Sequence, residues 1–361
     1  MSEMLKDKVP AERLLSLDIY RGITMLAMML HTFGLKELAH IPIVGVIFSQ
    51  LNHAEWVGFH AEDFILPSFL FIMGFSLALS NTFRRMRGDA WAVRFRHVLK
   101  RSVQLFLFGF FLSWYSAGRP VTGPGVLQVL ALSYLIGFFF CDLRLKTRFM
   151  VFVALLFIHW FFIYIVPVYD VGQNSYVIYK NIVYLIDETL TNSPSRWGYI
   201  YTVITSAAVV LFGSIVSDMY RHRSSDLKFI KALAVIGVVF IITGLAISPV
   251  NPIIKRMFTS SYTLMTSGLC AAFFVVLFYL VDVIKLRGWA LPFVVVGMNS
   301  IFIYIVHNLL RSWLLNTAGI FINPLGAFIG AWIEPIKHTV SLAAQWLLCL
   351  WLYRRKIYFR L

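Results

Sequence analysis

Charge is the scarcest feature of this sequence: Asp, Glu, Lys and Arg make up 14% of its 361 residues, where a soluble domain carries about 25%. Together with 59% hydrophobic residues and a mean hydropathy of +0.77, that scarcity excludes a water-soluble globular chain. Cysteine is nearly absent, and Cys141, Cys270 and Cys349 show no CxxC spacing, so neither a disulfide framework nor a zinc site is indicated. No glycine-rich loop of the GxGxxG or GxxxxGK type occurs, so a phosphate-bearing ligand would have to be held by side chains and helix ends. Low-complexity tracts and internal repeats are also missing, and the chain reads as one domain over 1–361. The segment before Asp18 and Arg21 mixes acidic with basic residues, which does not fit a cleaved signal peptide.

What the sequence does have is apolar length. Crossing about 30 Å of hydrocarbon takes roughly 17 to 25 residues, and ten such runs fall near 14–34, 57–80, 98–117, 124–141, 149–167, 198–217, 229–247, 261–282, 291–313 and 338–353. The expected fold is therefore all-α, a polytopic membrane protein of about ten transmembrane helices. Gly319 to Pro335 is interrupted by Asn323, Pro324 and Glu334 and reads as re-entrant or interfacial. Cytoplasmic loops retain Lys and Arg. With the N-terminus inside, the basic connections Arg84 to Arg101, Arg144 to Arg148, Arg221 to Lys231 and Arg354 to Arg360 all fall on the inner side, which places both termini in the cytoplasm. The net charge of +15 is then mostly a topology signal and gives no support to a nucleic-acid partner. The longest outer connection, Val168 to Trp197, carries Tyr169, Tyr176, Tyr179 and Tyr184 and could cover an outward-facing pocket.

The second span opens unusually: "NHAEWVGFHAEDFILPSFLFIMG" puts Asn52, His53, Glu55, His60, Glu62 and Asp63 at its outer start. A helix running from Asn52 would align His53, Trp56, His60, Asp63 and Pro67 on one face. Asp63 would then sit about 15 Å along the axis from His53, too far for direct contact. A carboxylate at that depth costs several kcal/mol unless it faces protein or water. The stripe is thus expected to line a cavity, with Asp63 paired to another helix through Arg21, Asn299 or His307. Asp18 and Arg21 form an i, i+3 pair that can fix the register of the first span, and Asn299, Ile303 and His307 share a stripe of the ninth.

"RLLSLDIYRG", "NHAEWVGFHAEDFILPSFLFIMGFSLALS", "GVLQVLALSYL", "SPVNPIIKRMFTSSYTLMTSGL", "GMNSIFIYIVH" and "WLYRRKIYFRL" occur in the order found in the heparan-α-glucosaminide N-acetyltransferase family, from Arg13 to Leu361. The chain resembles a bacterial member of it. The resemblance implies an acetyltransferase of the bacterial inner membrane that takes acetyl-CoA from the cytosol and acetylates an amino sugar on the outer side. It implies that His53, in the H-x-x-W motif, is catalytic and faces outward. Two positions depart from the family's longer relatives: His31 and Thr32 stand where an asparagine is usual, and Val129 follows Gln128 where an arginine is usual.

The chemistry also follows from the residues. A neutral imidazole with a pKa near 6.5 can attack a thioester or serve as general base toward an acceptor amine. His53 can do either, with Asp63 orienting it or offsetting positive charge. Asn52, Glu55, Trp56, His60, Asp18, Arg21, Gln128, Asn299 and His307 are the candidate acceptor contacts. Arg84, Arg85, Arg87, Arg144 and Arg287 are the candidate contacts for the phosphates of CoA, and no metal is expected. The partners are acetyl-CoA, an amino-sugar acceptor, the bilayer and, as one option, a second copy of the chain. A sugar permease and an O-acetyltransferase of a surface polysaccharide are the alternatives.

Overall fold

The computed structural model describes residues 14–31, 33–118, 125–168, 171–173, 175–191 and 199–359. Thr32, Tyr169, Trp197 and Arg360, singled out above, lie outside them. No strand occurs among the described residues, where the only β features are two isolated bridges.

The helices in chain order are α1 (Leu15–Met29), α2 (Pro42–Gln50), α3 (Ile65–Met86), α4 (Trp91–Ala117), α5 (Val126–Cys141), α6 (Leu145–Ile165) and α7 (Ile182–Thr191). They continue as α8 (Tyr199–Arg221), α9 (Asp226–Ile247), α10 (Ser260–Phe278), α11 (Leu291–Met298), α12 (Ser300–Ile322), the single turn α13 (Gly326–Ile329) and α14 (Ile333–Arg354). Among the described residues six helical stretches are long and apolar enough to cross a bilayer, fewer than the ten runs read from the sequence. The shortfall has local causes. α1 has 15 residues and α5 has 16, while α4 carries Arg94, Arg96, Lys100 and Arg101 in its N-terminal half. The runs 291–313 and 338–353 share one counted helical stretch, Ser300–Arg354, and the first of them is broken between α11 and α12 at Asn299, whose side chain accepts from Phe359 N at 2.9 Å and donates to Ile357 O at 3.1 Å.

Without a hydrophobic drive between helices in lipid, packing depends on small residues that let backbones approach. At the α3–α8 crossing a Cβ on Gly74 would lie 1.9 Å from Val210 O, and one on Gly213 would lie 2.2 Å from Phe71 O. Around this crossing Phe71, Phe75, Phe152, Phe212 and Phe274 build the buried aromatic core. α8 is central, with 89% of its most apolar stretch buried, whereas α9 has 22% buried and turns its apolar face outward.

Candidate active site at the start of α3

The helix expected from Asn52 does not form there. His60 Nδ1 bonds the carbonyl of Asn52 at 3.0 Å, and the backbone N–H of His60 donates to Asp63 Oδ2 at 2.9 Å in a capping box that starts helix only at Ala61. Gly58 takes φ +127°, a conformation open mainly to glycine, and its N–H reaches Ile253 O at 2.9 Å. The segment 51–60 is therefore a folded loop, which corrects both the helical stripe and the 15 Å gap. His53 comes straight onto the carboxylate: Nδ1 is 3.0 Å from Asp63 Oδ1, while Ala54 N donates to Oδ2 at 3.1 Å. Asp63 is fully buried, and Tyr262 of α10 donates its hydroxyl to the Asp63 carbonyl at 2.6 Å.

The partner of Asp63 is also other than expected. In place of Arg21, Asn299 or His307 it is Lys255, in the connection before α10, whose Nζ lies 3.5 Å from Asp63 Oδ1. The same Nζ is 2.8 Å from His53 Nδ1 and 2.9 Å from Nε2. Burial pulls the Lys255 ammonium down to about 8, against the opposing pull of Asp63 and Glu62. His31 completes the cluster, 3.4 Å from Glu62 Oε1, with its ring centroid 5.5 Å from that of His53. His31, His53 and Glu62 bring one ligand atom each within 4.8 Å of one another. A metal ion could use that donor set, but the Lys255 ammonium over His53 opposes a second cation by charge repulsion.

These residues open into a cavity of about 530 Å³. One end holds His31, His53, Glu62, Lys255 and Arg311, and the lining then runs through Ile65, Phe69 and Met73 of α3 toward Arg21 and Arg101. Arg21 Nη2 bonds Ser76 Oγ at 3.2 Å. From Glu62 to Ser76, at 1.5 Å per residue, is about 20 Å along α3, much of an apolar layer about 30 Å thick. Arg101 stands over the Tyr134 ring at 5.1 Å.

The other sequence candidates divide. Arg21 and His307 line the cavity, and His307 is held by Gln345 Oε1 at 3.1 Å. Asp18 backs Arg21 at 3.5 Å. Trp56 donates Nε1 to Tyr176 O at 2.7 Å and so fastens the α6–α7 connection beside the site, while Glu55 is exposed to solvent. Asn52 donates Nδ2 to Phe48 O at 2.6 Å, and His60 shapes the loop. Gln128 caps α5 by accepting from Gly125 N at 2.9 Å. Asn299 pins the C-terminal segment and is not brought to the cavity.

None of the five arginines singled out for phosphates lines this cavity. Arg85 and Arg144 line a separate one, Arg84 pairs with Asp89 at 3.5 Å, Arg287 bonds Val281 O at 3.1 Å, and Arg87 is exposed. The arginines that do line it are Arg21, Arg101, Arg256 and Arg311. Lys255 carried a signal in the sequence, because Lys255 and Arg256 fall in a connection that the ten-helix reading assigns to the outer side, against the charge bias. His31 and Glu62 carried less, since only folding brings them to His53.

A family model described as "Heparan-alpha-glucosaminide N-acetyltransferase, catalytic" matches residues 13–245. The chain is 25% identical to the mouse heparan-alpha-glucosaminide N-acetyltransferase over 377 aligned positions, covering 84% of this chain and 54% of that protein. It is 31% identical to the human protein of the same name over 134 positions, 34% of this chain and 18% of that one. The chain thus spans about half the length of the mouse relative.

Proposed function

Because the chain belongs to the heparan-alpha-glucosaminide N-acetyltransferase family, we propose that it moves an acetyl group from acetyl-CoA to the amine of an amino sugar, with His53 at the reacting centre. The observation that carries this reading is the single cavity joining the His53 cluster to Arg21 and Arg101. The phosphates of CoA cannot enter lipid, and guanidinium forks suit them. They would rest at Arg21 and Arg101 while the uncharged pantetheine arm follows the apolar wall of α3 toward His53. In this reading both termini and the basic connections are cytosolic, about ten segments are embedded, and the His53 end faces outward from a bacterial inner membrane.

The local chemistry then follows. Asp63 Oδ1 accepts from Nδ1–H, which puts the ring's lone pair on Nε2. Lys255 covers that atom at 2.9 Å, and its flexible stem lets the ammonium swing toward Asp63 when the thioester arrives. Nε2 either attacks the thioester carbonyl, breaking C–S as the thiolate leaves, and then passes the acetyl group to the amine, or takes the proton of the acceptor amine while the amine attacks the carbonyl and the thiolate leaves. Both routes build negative charge on the carbonyl oxygen, and the Lys255 ammonium is the nearest cation able to meet it.

Proteoliposomes charged with acetyl-labelled acetyl-CoA and offered glucosamine outside test the reading. Label should appear on the amine, with donor accepted only on the face of Arg21 and acceptor only on the face of His53. Label on a hydroxyl would make the chain an O-acetyltransferase. Sugar accumulation without acetyl transfer would make it a permease and end the proposal.

A further inference from the structure

We infer that a second cavity, at the basic end of the helices, is a binding site for the phosphate headgroup of an anionic phospholipid. It measures about 610 Å³ and lies among the end of α3, the α5–α6 connection and the α8–α9 connection. No residue lining the His53 cavity lines it, so the inference stands apart from the acetyl-transfer reading.

Its cations are Arg85, Arg144, Arg148, Arg223 and Lys228, against two lining carboxylates, Asp142 and Asp218. Both carboxylates are already shared. Asp142 meets Arg94 at 2.8 Å and Arg85 at 3.6 Å, and Asp218 meets Arg148 as well as Arg221 at 3.3 Å. Arg144 and Lys228 make no ion pair among the described residues. Arg148 is 2% exposed, and its Nε has no hydrogen-bond partner in the structure. That Nε is sealed from the cavity as well, so the exposed cations Arg144 and Lys228 are the groups that a phosphate oxygen can reach. Topogenic charge bias accounts for basic residues on an exposed loop. It does not account for five cations from three parts of the chain converging on one cavity whose two carboxylates are already shared.

The outer faces of two helices that contribute to the cavity, outside its lining, favour a lipid over a free anion. α6 and α9 meet where the rings of Phe152 and Phe240 stack at 5.4 Å and 2°. Beside the cavity both helices turn large apolar side chains outward, Phe149 and Met150 on α6 and Leu227 and Val235 on α9. Acyl chains of a lipid whose phosphate sits at Arg144 and Lys228 would lie along these faces. Basic pockets between membrane helices recognise anionic headgroups in this way.

Native mass spectrometry of the detergent-extracted protein with equal phosphatidylglycerol and phosphatidylcholine reads the preference directly. The wild type should retain phosphatidylglycerol over phosphatidylcholine by about tenfold, and the double variant Arg144→Gln, Lys228→Gln should lose that preference. Both positions are exposed, so the variant should fold and keep its basal acetyl transfer. Arg354→Gln with Arg355→Gln removes equal charge elsewhere and should leave the preference intact. Equal retention of the two lipids, or equal loss in both double variants, would overturn the site. Displacement of phosphatidylglycerol by millimolar inorganic phosphate alone would assign the cavity to a soluble anion and overturn the lipid.

Discussion

His53 Nδ1 lies 3.0 Å from Asp63 Oδ1, and the second oxygen of that carboxylate is held by the backbone N–H groups of Ala54 and His60 at 3.1 and 2.9 Å. One side chain thereby fixes the loop, starts the helix and orients the imidazole. The consequences of changing it, or the ring it holds, can be separated.

Replacing His53 with Ala should abolish acetyl transfer while CoA binding and protein yield stay close to wild type. The ring is part-buried at the cavity mouth, so its loss leaves the core packing untouched. Loss of a nucleophile or general base costs at least about 10²-fold. Retention of more than about a tenth of wild-type turnover would remove His53 from the reacting centre.

Asp63→Asn keeps the volume but not the symmetry of the carboxylate. The amide oxygen must accept from Ala54 N and His60 N, which turns the amide NH₂ toward His53 Nδ1. That forces the proton onto Nε2 and removes its lone pair. Turnover should fall by about 10²-fold or more with little change in the KM for acetyl-CoA, and yield should fall far less. If yield collapses and the surviving protein turns over normally, Asp63 is a structural residue only.

Lys255 gives the pH test. With its ammonium pulled down to about 8 by burial, the proton is held below that pH and lost above it. Wild-type turnover at saturating amino sugar should therefore decline as pH rises through about 8. Lys255→Arg keeps the charge across that range and should move the decline to higher pH, whereas Lys255→Met should lower turnover by about 10²-fold at neutral pH. Superimposable pH profiles for wild type and Lys255→Arg would show that Lys255 does not set the limb.

Arg21→Gln and Arg101→Gln should each raise the KM for acetyl-CoA by about tenfold or more, because a charge-assisted hydrogen bond contributes about 1.5–3 kcal/mol. The kcat should change little, since both guanidiniums are far from His53. Unchanged KM in both variants, set against a rise in Arg84→Gln, would return the phosphates to the exposed connection.

Composition and run length were enough to specify a helical membrane protein, because the cost of burying polar backbone and charge in hydrocarbon depends on content and length more than on detail. The motif around His53 was legible in the same way, since H-x-x-W-x-G and the His60–Asp63 spacing are local. That spacing, with an acceptor side chain three residues after the cap, was also the sign that helix begins at Ala61 and not at Asn52. Sequence periodicity could not show that the loop before it folds back and closes a gap of about 15 Å to a hydrogen bond. Lys255 and His31 reach the site from distant elements, and only the packing of α1, α3 and α10 decides that they meet His53. The same holds for the arginines. Charge bias marks every basic connection alike, and the tertiary structure alone separates Arg21 and Arg101, which line the His53 cavity, from Arg144 and Arg148, which line another.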